Sequence, residues 1–228
     1  DLRFWAAARF TIMNLISEKV IKEFLELTPE YIDRRSLKYR SFGKVWPESI
    51  LFLKSTDNWK KRREGFLKQM GLNNSSKYIT HMMDACEENL AELEKGKKYN
   101  MLQLFNKVTF KVITIILFGK DVNEQVGYID YFQDDDTTVK YPFAEFFIKI
   151  CKDAMASSMN IYNMFLPFLG DYDLIKPFST IRKNINNFYN VLRDYLAKSK
   201  DKDSVYYKLT EIENLDQEET FQDLVGFL

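Results

Sequence analysis

Apolar residues recur at helical spacing along most of this chain and crowd irregularly only near its start. The stretch RFWAAARFTIMNLI, Arg3 to Ile16, has β-branched and aromatic runs too short and uneven for a helix, so it reads as a pair of strands. Ser17 then reads as an N-cap. In SEKVIKEFLEL, Val20, Ile21, Phe24 and Leu25 fall on one helical stripe, and Thr28-Pro29 ends it because the residue before proline avoids the helical region. Gly43 and Pro47 break the segment from Arg40 to Thr56 into a loop, after which Asp57 reads as the N-cap of a helix that stops near Gly71.

The next stripe is the most regular: Ile79, Met82, Met83, Cys86, Leu90 and Leu93 predict a helix from Lys77 to Lys95, with Gly96 as its C-terminal cap and Glu87, Glu88, Glu92 and Glu94 on a solvated side. From Leu102 to Phe118 the chain is apolar around most of its circumference except along a line of Gln103, Lys107, Lys111 and Thr114, the pattern of an interior helix. The two lysines argue against a membrane span. Phe143, Phe146, Phe147, Ile150 and Ala154 define another helix, and Ile181, Ile185, Phe188, Leu192 and Leu196 a long one. Between these lies IYNMFLPFLG, Ile161 to Gly170, unusually apolar for a loop; Gln217 to Leu228 begins a last helix. The fold class is therefore mainly α with a small N-terminal β-sheet.

Composition narrows the function. With 228 residues, 46% hydrophobic and 29% charged, the chain has material for one sizeable core, whether a whole domain or part of one. Its 33 basic and 33 acidic residues cancel, which argues against a nucleic-acid binder held by phosphate neutralisation. The 2 cysteines, Cys86 and Cys151, sit on apolar helical stripes and read as core residues, and the single histidine, His81, cannot assemble a zinc site. Asn73 and Asn74 begin Asn-x-Ser sequons in a polar loop, and QDDD at 133–136 lacks the turn and spacing of a cation site; both read as solvated loops.

One stretch carries distinctive chemistry. In STDNWKKRREGF, Trp59 and Arg63 stand four apart, hence one above the other on a helical face, and both are donors suited to a fixed anion. An alternative is a surface stack of the Arg63 cation on the Trp59 ring. Lys60, Lys61 and Arg62 read as solvated.

The order of strand pair, short helix, LTPEYIDRR, a Gly-interrupted loop, LFLKSTDNWKKRR, the VTFKVITIILFGKDV helix and a final FQDLVGFL resembles the N-terminal half of a cytochrome P-450, a heme-thiolate monooxygenase. The likeness covers nearly the whole chain. Trp-x-x-x-Arg is its most specific local signature, with the ILFG helix end a softer second. The resemblance implies that Trp59 and Arg63 donate to a heme propionate, and that the basic helix face also meets an acidic, NADPH-dependent reductase. It implies a substrate roof around 42–52 and a second wall around 156–169, with Val45, Trp46, Ile50, Phe52, Met164, Phe165 and Phe168 as pocket candidates. The loop from Ile161 to Leu169 also has the composition of an interfacial membrane anchor.

What the family adds further on is missing here: the Phe-x-x-Gly-x-x-x-Cys-x-Gly loop whose thiolate ligates iron, the Glu-x-x-Arg helix and the acid-alcohol pair of the oxygen-activating helix. The chain also begins without methionine and ends inside an apolar run. The expectation is therefore one domain cut at the start of its long central helix, residues 1–228 being its N-terminal portion, inactive alone. The whole protein would insert one oxygen atom from O2 into an apolar small molecule, on the cytosolic face of the endoplasmic reticulum if eukaryotic. A heme-thiolate isomerase or peroxygenase and a non-enzymatic helical scaffold that has lost heme remain as alternatives.

Overall fold

Among the described residues, two antiparallel β-pairs interrupt a mainly helical chain. The structure, a computed structural model, describes residues 2–7, 10–28, 30, 48–71, 74, 76–158, 176–199, 201–212 and 215–228. β1 (Leu2–Ala7) pairs with β2 (Phe10–Leu15), Trp5 opposite Ile12. There follow α1 (Glu18–Glu26), α2 (Asp57–Met70), α3 (Ile79–Ala91), α4 (Met101–Phe118) and the short α5 (Val122–Val126). A second hairpin, β3 (Tyr128–Phe132) with β4 (Thr138–Pro142), leads into α6 (Phe143–Ser158), α7 (Lys176–Lys198), α8 (Val205–Thr210) and α9 (Gln217–Phe227).

The early elements form as their sequence asks. The Ser17 hydroxyl caps α1 by accepting from the Val20 N–H at 3.4 Å. No residue of α1 is buried: of its apolar stripe Val20 and Phe24 are half-buried, and Ile21 and Leu25 are exposed. α2 is capped one residue earlier than the sequence suggests: Thr56, not Asp57, accepts from the Trp59 N–H at 3.3 Å, and Asp57 lies in the first turn, where its charge suits the helix dipole.

α3 departs most from its pattern. Ile79, Met82, Met83 and Leu90 are 40–58% exposed, whereas the buried positions are Ala85 and Asn89. The acids expected in water flank that inner face. Glu88 pairs with Lys111, and Glu92 with Lys107 at 2.5 Å, so the polar line of α4 is the seam along which α3 docks. Small residues at 85 and 89 allow the close approach, and the carboxylates reach over it to the lysines. The helix is also shorter than its pattern, preceded by a 3₁₀ turn over Ser76–Tyr78 and ended before Gly96.

α4 is interior only in its second half. Met101, Leu102 and Phe105 are exposed, while Phe110, Thr114 and Ile116 to Phe118 are buried. By length and composition α4 could cross a bilayer, but its two lysines are paired to α3. Its end is fixed by Gly119, at φ 117°, where an added Cβ would lie 2.9 Å from the Asp201 carboxylate. That carboxylate accepts from the Lys120 N–H at 3.0 Å. A side chain at 119 would therefore meet both strain and collision.

The main core lies between α6 and α7. Phe143, Phe146, Phe147, Ile150 and Ala154 all point inward, as do Ile185, Phe188 and Leu192 from α7. The Phe188 ring stacks on Phe143 and Phe146 with centroids 5.5 and 6.2 Å apart. The β3–β4 hairpin, which the sequence reading did not foresee, closes one end of this core. Its outer strand edge is satisfied by α7: Asn184 accepts from the Phe132 N–H at 2.8 Å and donates back to the Phe132 carbonyl at 2.9 Å, and Asn187 donates to the Asp130 carbonyl at 2.8 Å. Side-chain amides thus stand in for a third strand. QDDD forms the hairpin turn, with Asp136 at φ 64°.

Candidate functional site

α2 turns three residue types to three directions. Gly65 and Phe66 face inward, Trp59 is half-buried and Arg63 is exposed. Trp59 and Arg63 share a helix face, in the stacked geometry that the sequence offered as the alternative: the Arg63 guanidinium carbon lies 5.7 Å from the Trp59 ring centroid. No carboxylate pairs with Arg63 among the described residues. The Trp59 indole N–H, however, already donates to the Ile50 carbonyl at 3.0 Å. The pair therefore offers one open cation on an aromatic platform, and one donor held by backbone.

Arg62 corrects the expectation that the whole basic run is solvated. It is 2% exposed and reaches into the seam between α2, α9 and the turn at 48–53. Its Nε donates to Asp223 Oδ2 at 2.8 Å and its Nη2 to Asp223 Oδ1 at 2.6 Å, a two-point grip on a carboxylate that is itself 2% exposed. Nη2 also donates to the Glu48 carbonyl and, at 3.2 Å, to the Glu219 carbonyl. Nη1 has no hydrogen-bond partner among the described residues, with the Glu219 carboxylate at 3.4 Å in ion-pair range. Only this bonding makes the burial of a guanidinium tolerable.

Asp223 serves a third donor, the Ile50 N–H at 2.6 Å. Burial pushes its carboxyl above the ordinary value; Arg62 and the Ile50 amide pull it part of the way back. The surroundings reinforce the seam. Gln222 accepts from the Glu48 N–H at 3.1 Å, and Phe66 stacks on Phe227 at 4.5 Å. Gly226 lies so close to Ser49 that a Cβ would come within 2.4 Å of its hydroxyl.

The pocket candidates divide. Ile50 is buried and Phe52 half-buried against the core, whereas Val45, Trp46, Met164, Phe165 and Phe168 lie outside the described residues, as does the loop from Ile161 to Leu169. Both cysteines are free and helix-borne. Burial pushes the Cys151 thiol up to about 12, which suits a packing residue and not a thiolate ligand. No cluster of metal-ligating side chains occurs among the described residues.

A cleft of ≈360 Å³ between the hairpin, α6 and α7 takes no lining residue from α2 or α9. Its Asp153 is engaged by the Tyr131 hydroxyl and by Lys149 at 2.6 Å. The chemistry that stands out is at α2. Two signals in the sequence pointed to the missed pair: Arg62 shares a helix face with Gly65 and Phe66, and Asp223 is a lone acid inside the apolar run Phe221, Leu224 and Val225.

A family model described as Cytochrome P450 matches residues 4–223. No curated protein matches the chain significantly.

Proposed function

Since the chain belongs to the cytochrome P450 family, we propose that it is the N-terminal portion of a heme-thiolate monooxygenase that oxidises an apolar small molecule, and that α2 holds one edge of the heme. The observation that carries this reading is Arg63, an exposed guanidinium stacked on Trp59 without a carboxylate partner among the described residues. That donor set fits a heme propionate, an anion at the rim of an apolar macrocycle.

Heme, when bound through a cysteine thiolate, supplies the activation of O2. The residues described here contribute binding and orientation. Arg63 anchors the anionic edge, Trp59 stiffens Arg63 from beneath, and the Trp59 N–H joins in to the extent that it is shared with the Ile50 carbonyl. Phe52, half-buried, supplies apolar surface near that edge, in keeping with a pocket for an apolar substrate, while Ile50 is packed in the core behind it. Neither cysteine suits the axial position, so the ligand belongs to chain beyond residue 228 in this reading. Electrons come from an NADPH-dependent reductase that meets the exposed basic face of α2, and in a eukaryote the whole protein sits at the cytosolic face of the endoplasmic reticulum membrane.

Removal of donors tests the assignment. In the full-length protein, Arg63→Ala should lower heme occupancy, read as the ratio of Soret to protein absorbance, by the loss of a charge-assisted bond of roughly 1.5–3 kcal/mol. Trp59→Phe should cost less, because its N–H already has the Ile50 carbonyl. Lys61→Ala should cost least. Equal losses at all three positions would refute the placement of the propionate.

A further inference from the structure

We infer that Asp223 and Arg62 are positioning residues for the heme edge, a role that rests on the heme reading of α2 given above. The inference starts from how the two donors of that edge are oriented. Trp59 takes its orientation from the Ile50 carbonyl, at 3.0 Å, and Ile50 is fixed at its other end by its own N–H on Asp223, at 2.6 Å. Arg63 takes its direction from the rotation of α2 about its axis. That rotation is locked one residue earlier, where Arg62 is gripped at two points by the same carboxylate. With Arg62 pinned inward, the next side chain stands about 100° round the helix and faces outward. One carboxylate on α9 therefore governs both the indole and the guanidinium.

The chemistry goes beyond what stability asks of this seam. A buried ion pair is often matched or bettered in stability by apolar residues of similar volume. An apolar pair at 62 and 223 would fill the seam but offer no acceptor to the Ile50 N–H. The directed bonds therefore bear on geometry at the edge, and α9, the C-terminal element of this chain, is coupled to α2 through them. A displacement of α9 would be felt at Trp59 and Arg63 through these bonds.

The test uses the heme-loaded, full-length protein and reads the rate of heme transfer to excess apomyoglobin, alongside the melting temperature. The double substitution Arg62→Met with Asp223→Leu should keep the melting temperature near that of the parent yet release heme roughly tenfold faster, the scale of one lost charge-assisted bond. In a background already carrying Trp59→Phe and Arg63→Ala, the same double substitution should leave release almost unchanged, because the groups it positions are gone. Arg62→Lys keeps the charge without the planar fork and should give a smaller acceleration. In uniformly ¹⁵N-labelled protein, the Trp59 indole N–H resonance should shift in both variants. Unchanged release with Arg62→Met and Asp223→Leu, or equal acceleration in both backgrounds, would overturn the positioning role. Should the double variant fail to fold, Arg62→Lys decides: unchanged release and an unmoved indole resonance overturn it. A parent that takes up no heme overturns the heme reading itself, and this inference with it.

Discussion

Replacing Arg62 by alanine is expected to destabilise the protein by about 3–5 kcal/mol, the usual consequence of stranding one member of a buried ion pair. The substitution leaves the Asp223 carboxylate 2% exposed, with the Ile50 N–H at 2.6 Å as its remaining donor among the described residues. Acid should relieve part of the loss. The Asp223 carboxyl is already raised above its ordinary 3.8 by burial, and Arg62 is what holds it down; without Arg62 it rises further. An acid raised in the folded state favours folding in its protonated form. That contribution is full below the unfolded value and is lost as pH rises through the folded one. The deficit of Arg62→Ala, measured by urea titration, should therefore be larger at neutral pH than near pH 4.5 or so. A deficit below about 1 kcal/mol at neutral pH would place Arg62 among ordinary surface cations, and one that grows on acidification would mean that Asp223 is not the group left unpaired.

A loss of similar size is expected from Phe188→Ala, for a different reason. Phe188 is 2% exposed and joins α7 to three rings of α6, with centroids 5.5, 6.2 and 5.3 Å from Phe143, Phe146 and Phe147. Truncation removes its transfer energy and leaves a cavity that these rings, fixed on one helix, can fill only in part, so about 3–5 kcal/mol should be lost. Tyr128→Ala, at a side chain 70% exposed, should change stability by less than about 0.5 kcal/mol. Urea unfolding of the two variants separates them; comparable losses would mean that the α6–α7 core is not where the packing energy lies.

These two sites also mark where the sequence was legible. The stripes of α6 and α7 were readable because each helix buries one continuous apolar face against the other, so period and burial coincide. The stripe of α3 misled because its inner face is made of Ala85 and Asn89, small enough for close approach, while its larger apolar residues face outward among the described residues. Periodicity reports that a helix has two faces; which one is covered depends on the partner. The β3–β4 hairpin was overlooked although GYIDYFQDDDTTVKYPF alternates around an acidic turn. Its outer edge is completed by Asn184 and Asn187 from a helix more than fifty residues away, a pairing that no local pattern announces.

The candidate site was half legible. The spacing of Trp59 and Arg63 gave their stacking directly, since helix geometry alone imposes it. What the Trp59 N–H bonds to, and the burial of Arg62, depend on a turn nine residues upstream of Trp59 and on α9 more than 150 residues downstream. In a run of four cations the local mark of the one that turns inward is slight, a helix face shared with Gly65 and Phe66. The distinguishing residue is its distant partner, Asp223.

The measurement that bears most directly on the proposed function is the carbon monoxide difference spectrum of the dithionite-reduced protein, recorded on the product of the full reading frame and on residues 1–228 alone after addition of hemin. The full-length product should give a heme-thiolate Soret band at the family's red-shifted position, and residues 1–228 should give none, because both cysteines are borne on helices and burial pushes the Cys151 thiol up. A full-length product without that band would contradict the account.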